Sequence, residues 1–170
     1  MTEHLHLDAY RQSFALLEQA VAGLTREELG YKPSPVKWSV TEVLAHLTDH
    51  YLVVSFRIRE VLSRSAVRLP AFRQDEWVEG QHAADGDATD YLALFGALHA
   101  FHTRLFERLA PEAWTLDGIN AKGERVSLEA IIAAFSAHLK LHLAQIGRTR
   151  ELARAALAAT SGQTAARGGG

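Results

Sequence analysis

Six apolar residues near the start of the chain, Leu7, Tyr10, Phe14, Leu17, Val21 and Leu24, follow one another at steps of 3, 4, 3, 4 and 3. That spacing wraps one apolar stripe around a 3.6-residue helix and does not fit a strand, whose faces alternate with a period of two. It predicts a helix over about residues 5–23. A second is predicted from Ser39, a good N-cap with Glu42 three residues on to complete a capping box, to about residue 63. Val43, Leu47, Val54 and Ile58 carry its buried stripe. Trp38, just before the cap, is placed to pack on Val43 as a hydrophobic staple.

A third helix is predicted over about 88–109, capped by Asp87 or Thr89 and stopped by Pro111, with Leu94, Leu98, Phe101 and Leu105 sharing a face with Tyr91. The fourth starts after Ser127 and runs to about residue 158; Ile131, Phe135, His138, His142 and Gln145 step along it by 4, 3, 4 and 3. Thr25 with Glu28 forms a second capping box on a short turn, and Pro33 and Pro35 keep the stretch after it out of helical geometry. No segment reads as a long strand; Leu116 to Val126, with Gly118 and Gly123, reads as a loop or short hairpin. The fold class expected is all-α, an up-down four-helix bundle occupying residues 1–158, followed by a disordered tail at 159–170.

Residues 64–88, with Pro70, Gly80 and Gly86, form a connection too long for a simple bundle loop, and such loops often serve function. A short helix is expected from Gln74 to His82. Phe72 and Trp77 are expected to be buried where this segment crosses one end of the bundle.

The chain of 170 residues has no cysteine, which removes disulfides, iron–sulfur clusters and a thiol nucleophile. Its formal charge of −2 argues against a general phosphate-backbone binder. The first residues lack the basic and apolar regions of a signal peptide, and no membrane span is read, so a cytoplasmic location is expected.

Nine histidines remain to be explained. Chance would give roughly half a pair at i,i+4 spacing. The chain has two such pairs, His46 with His50 and His138 with His142. Residues so spaced lie one turn apart on a helix face, where two imidazoles can converge on one ion. His138 and His142 interrupt a core-facing stripe, and His46 lies beside Val43 and Leu47. A third imidazole from another helix would close a facial set with positions left open. Spacing alone leaves a plainer alternative: separate core histidines bonded to backbone or side chains. His4, His6 and His82 read as surface or terminal residues, and His99 and His102 as members of an amphipathic helix.

At these residues the sequence resembles a known family. Trp38-Ser-Val-Thr-Glu-Val-Leu-Ala-His46-Leu-Thr-Asp-His50 is similar to the start of the second helix in the DinB/YfiT-like family, and His138-Leu-Lys-Leu-His142-Leu-Ala-Gln145-Ile146 to its second signature. Pro70-Ala-Phe-Arg-Gln-Asp-Glu-Trp77 and Gly123-Glu-Arg-Val-Ser-Leu128 resemble connecting segments of the YfiT-like branch. The resemblance covers about residues 7–150. It implies a four-helix bundle with a three-histidine metal site at one end, whose ligands here would be His46, His138 and His142. It also implies a divalent metal, nickel or zinc above others. Characterised members of the family include thiol S-transferases using bacillithiol or mycothiol and a thiol-dependent maleylpyruvate isomerase. Two features depart from the branch: Leu141 and Gln145 stand where it usually has histidines, and Gly118-Ile-Asn120 replaces a His-Pro-Glu-like element.

The function expected is therefore metal-dependent transfer of a low-molecular-weight thiol to a small electrophile. Hydrolysis of a small substrate, or a non-catalytic metal- or ligand-binding bundle, are the alternatives. Asp49 and His50, within a turn of His46, are candidates to orient a ligand or move a proton, His50 as a catalytic residue. The partners expected are a small-molecule thiol and an electrophile, with a homodimer as the candidate assembly and neither nucleic acid nor a membrane.

Overall fold

Four long helices carry the structure, a computed structural model that describes residues 5–167, with side chains described over 7–160. They are α1 (Leu5–Val21), α3 (Val40–Leu62), α5 (Ala88–Glu107) and α6 (Leu128–Arg167). Two short helices, α2 (Arg26–Gly30) and α4 (Gln74–Gly80), and a hairpin of β1 (Asp117–Ile119) and β2 (Arg125–Ser127) fill the connections. Both capping boxes form: Thr25 and Ser39 each accept from the backbone N–H three residues on, and Glu28 and Glu42 reach back to the cap. Asp87, rather than Thr89, caps α5.

The stripe on α1 packs into the core as its spacing requires, with Tyr10 and Leu17 fully buried. Val43, Leu47, Val54 and Ile58 do the same from α3. On α5 the buried face differs from the expected one. Phe95, His99, His102 and Phe106 are buried, whereas Leu94 and Phe101 are more than two-fifths exposed. Two histidines replace two apolar residues on the inner stripe because each finds partners there. His99 stacks on Tyr10, ring centroids 4.9 Å apart, with its Nε2 3.0 Å from the Tyr10 carbonyl oxygen. His102 places Nδ1 2.8 Å from the Leu98 carbonyl oxygen and takes an Arg59 N–H on Nε2. Neither faces the cavity described below.

The all-α four-helix bundle is the one expected, but its helices do not alternate in direction as in a simple up-down bundle; periodicity does not carry that order, because apolar spacing is the same whichever way a helix points. Thr48 of α3 bonds Tyr91 of α5, Tyr51 meets Phe95 and Arg59 meets His102, so α3 and α5 run the same way. α3 and α6 are antiparallel, with His46 beside His142 and His50 beside His138. α1 runs with α6, since Tyr10 meets Phe135 while Arg150 reaches Ala20 further along both helices. The order is up, down, down, up. Consecutive parallel helices need a connection that returns the length of the bundle, and residues 64–88 supply it.

That connection carries α4 and a 3-10 turn, Ala83–Asp85. It is tied to the hairpin where the Leu69 N–H donates to the Ile119 carbonyl at 2.7 Å. The hairpin pairs Asp117 with Ser127, Gly118 with Val126 and Ile119 with Arg125. Gly118 is needed for close approach: a Cβ there would lie 3.2 Å from Leu69 and Val61 side-chain atoms.

α6 runs on to Arg167, past the expected end near 158; residues 168–170 of the expected tail lie outside the described residues. By length and mean hydropathy α6 would pass as a membrane span. Its apolar residues instead complete the bundle core, with Ile132, Phe135, Leu139, Ile146 and Ala153 buried.

Candidate metal centre

His46 comes from the second turn of α3, and His138 and His142 from successive turns of α6 where it crosses α3. Their Nε2 atoms form a near-equilateral triangle: His46 to His138 is 3.2 Å, His46 to His142 3.1 Å and His138 to His142 3.2 Å. No other grouping of at least three His, Asp or Glu side chains among the described residues has this metal-binding closeness.

The triangle has the dimensions of a ligand set. Nitrogens about 2.1 Å from one ion stand about 3.4 Å apart in a tetrahedral arrangement and about 3.0 Å apart on the face of an octahedron. The observed separations fall between. Three neutral imidazoles cannot satisfy one another in this geometry, because each Nε2 presents either a proton or a lone pair to both neighbours. For His142 the choice is made by Gln145. Its Oε1 lies 2.9 Å from the His142 Nδ1 and accepts that proton, so Nε2 turns a lone pair to the centre. The Nδ1 atoms of His46 and His138 are buried with no hydrogen-bond partner.

The centre is built to stay uncharged. Burial, then the nearby His142 and His138, holds the His46 pKa down at about 3. Burial and His142 hold His138 at about 4. Burial also lowers His142, against the opposing bond from Gln145. A depressed histidine leaves the lone pair free for a metal near neutral pH. It also has a consequence for the metal-free protein. Below the ordinary histidine pKa of about 6.5 the unfolded chain takes up protons that the folded chain refuses. Stability should therefore fall as pH drops from about 7 toward 4, by about 1.4 kcal/mol per pH unit for each histidine that stays neutral. Thermal unfolding of chelated protein between pH 7 and pH 5 tests this; a constant midpoint would contradict it.

Aromatic rings hold the trio in place. Trp38 lies 4.9 Å from the His46 ring and is stacked at 6.4 Å on His142. Phe72 of the crossover lies parallel to the His46 ring at 5.7 Å. Trp38 thus packs over the histidines, a role that its reading as a helix staple did not anticipate. Trp77 departs from expectation as well: it is 44% exposed and meets Phe72 edge-on at 5.2 Å. It backs the wall that Phe72 forms, and only Phe72, half-buried, lies against the centre.

The other predicted residues fall in different places. His50 stands beside His138, centroids 4.1 Å apart, and is stacked on Phe135. Burial, the neighbouring imidazoles and Arg57 hold its pKa down at about 2. Asp49 turns away from the trio and accepts a hydrogen bond from Gln81 of the crossover; burial raises its pKa. Leu141 is 70% exposed, so a histidine at that position would point into solvent. His82 is exposed, at a left-handed turn. His4 and the side chain of His6 lie outside the described residues.

His138 and His50 open onto a cavity of about 450 Å³ between α3, α6, the crossover and the hairpin. Phe135, Ile131 and Val54 line it with apolar side chains, and Arg57, Asn120 and Lys122 add polar ones. Arg57 is a residue the sequence reading passed over, although it shares a helix face with His46 and His50 at steps of 4 and 7.

Gln145 gives a test of this geometry. Gln145→Ala removes the acceptor that fixes the His142 tautomer, and metal affinity should fall about 10- to 100-fold while the fold persists. Competition with a chelator of known affinity measures it, and unchanged affinity would remove Gln145 from the centre.

The chain has relatives among known proteins. The model of the DinB superfamily matches residues 9–146. A protein of Geobacillus kaustophilus, provisionally named a metal-dependent hydrolase, is 27% identical over 137 residues, covering 79% of this chain and 76% of its own. YfiT of Bacillus subtilis, with the same provisional name, is 25% identical over 133 residues, 78% of this chain and 75% of that protein. The solved structure of YfiT, described as having an unusual four-helix bundle topology, superposes with a TM-score of 0.78 at 22% identity, covering 86% of this chain and 84% of that one. A mycothiol-dependent maleylpyruvate isomerase superposes with a TM-score of 0.69 at 12% identity, over 84% of this chain and 59% of that chain. With the family model matched over most of its length and the bundle reproduced, the chain belongs to the DinB superfamily.

Proposed function

We propose that the protein is a metal-dependent enzyme in which His46, His138 and His142 each donate Nε2 to one divalent ion, nickel or zinc, and that it transfers a low-molecular-weight thiol to a small electrophile. The observation that carries the metal is the triangle of Nε2 atoms with one tautomer already set by Gln145. When bound, a divalent ion held by these three neutral imidazoles would supply uncompensated positive charge able to acidify a thiol or a water.

The protein's own residues do the rest. Trp38 and Phe72 shield His46 from solvent, which keeps the local dielectric low and the electrostatic pull strong. The cavity admits a substrate from the His138 side. His50, neutral and beside it, offers a ring nitrogen to orient a polar group there. Its depressed pKa suits it to hydrogen bonding rather than to storing a proton.

Thiol transfer is favoured over hydrolysis by the cavity, whose walls next to His138 and His50 are apolar and suit a soft nucleophile with a carbon skeleton better than a lone water. The likeness in fold to a thiol-dependent isomerase supports the same choice. Hydrolysis is the second reading, favoured by the provisional names of the sequence relatives. Thiol consumption with model electrophiles by metal-loaded and chelated protein tests the proposal; product formation that needs the metal but no thiol would select hydrolysis.

A further inference from the structure

Arg57 is poorly explained by the bundle. It lies half-buried on the inner face of α3, one of its guanidinium nitrogens donates to the Pro70 carbonyl at 2.6 Å, and no carboxylate among the described residues pairs with it. Burial lowers its pKa, the mark of a cation short of counter-charge. Lys122 joins it in the cavity wall, carried at the turn of the hairpin by Asn120, whose Oδ1 accepts the Lys122 and Glu124 backbone N–H groups. Asn120 is itself held by that turn, so the Lys122 backbone is set in place. The lining thus contains two cations and no carboxylate, in a chain whose net charge is −2. Such a cavity has the opposite sign to the molecule around it.

From these residues we infer that the end of the cavity away from the histidines is a carboxylate-binding subsite, formed by Arg57 with Lys122, and that the substrate class is an organic acid whose reacting atom lies at the other end. This rests on the histidine trio being the reacting end. Seven residues of helix separate His50 from Arg57, a span of about 10 Å along the axis. An acid with about five or six carbons between its two functional ends matches that distance. A guanidinium meets a carboxylate through two parallel N–H bonds, and Arg57 keeps donors free beyond the one given to Pro70. The apolar stretch between the ends, made by Val54, Ile131 and Phe135, accepts the connecting carbon chain.

The carboxylate can be carried by the thiol or by its acceptor, and two arms of one calorimetric experiment separate them. In the first, zinc-loaded protein is titrated with mercaptohexanoate and with mercaptohexanamide. In the second, chelated protein is titrated with hexanoate and with hexanamide, so that a carboxylate has only the cationic end to meet. The acid should bind about 10- to 100-fold more tightly than the amide, as for a hydrogen bond to a charged group. A preference in the first arm alone assigns the carboxylate to the thiol, in the second alone to the acceptor, and in both to either. The preference should vanish in Arg57→Gln, survive in part in Arg57→Lys and shrink less in Lys122→Ala, with zinc content unchanged in all three. Equal binding of acid and amide by the unaltered protein in both arms overturns the proposal without recourse to any variant. So does full preference retained by Arg57→Gln. A protein that takes up no zinc would end the metal reading alone, since the second arm still decides this one.

Discussion

His46→Ala, His138→Ala and His142→Ala should each take the protein from about one divalent ion per chain to a small fraction of that, measured by elemental analysis of untagged protein after gel filtration. The expectation follows from the geometry. Three Nε2 atoms stand 3.1–3.2 Å apart on two crossing helices, and removing any one leaves only two ligands. The loss should appear in stability too. An ion present at a thousandfold excess over its dissociation constant adds about 4 kcal/mol to the folded state. The unaltered protein should therefore melt at higher temperature with nickel or zinc, and the three variants should not respond. His99→Ala is the control. It removes a buried histidine stacked on Tyr10, so it should lower stability and leave metal content alone. Full occupancy in His138→Ala would sink the ligand assignment.

Much of this centre was legible before any coordinates. Helix periodicity puts His138 and His142 on a core-facing stripe and His46 beside Val43 and Leu47, because it fixes which residues share a face; that these three form one ligand set is what the family resemblance implies, since spacing leaves separate core histidines equally open. Capping boxes at Thr25 and Ser39 marked helix starts correctly because they are local, made within four residues of chain. Legibility stopped where a property depended on contact between distant segments. The parallel run of α3 and α5 follows from the path of residues 64–88, and apolar spacing is the same whichever way a helix points. The inner face of α5 lies one residue round from the face that its apolar spacing predicts, because His99 and His102 are buried on it. Their burial depends on the Tyr10 carbonyl and on Arg59, 89 and 43 residues away respectively. Trp77 was expected inside on hydrophobicity alone, yet α4 is one short helix on the outside of the crossover, with Val78 as its buried residue. Arg57 gave no signal as a lone arginine. Only the hairpin and crossover show that it stands in a cavity without a carboxylate.

Consumption of a low-molecular-weight thiol in the presence of a small electrophile should require the metal, vanish on chelation and return with nickel or zinc. It should fall by roughly a thousandfold or more in His142→Ala. Two effects multiply in that figure. A free thiol with a pKa of about 8.5 is only about 3% thiolate at pH 7, so complete ionisation alone is worth about thirtyfold. Holding the sulfur and the electrophile together in the cavity converts a bimolecular encounter into a near-unimolecular one, an effect that reaches several further orders of magnitude when geometry is good. His142 is the informative position because its tautomer is set by Gln145, so the variant loses a ligand whose lone pair is already aimed at the centre. Gln145→Ala should fall between the two, losing activity in step with metal occupancy and regaining it at saturating metal. Equal rates with and without metal would remove the metal from the mechanism. Metal-dependent product without thiol consumption would assign the site to water as nucleophile. Absence of turnover across a panel of thiols, esters and amides, in a protein shown to hold its ion, would move the chain to the non-catalytic metal-binding bundle.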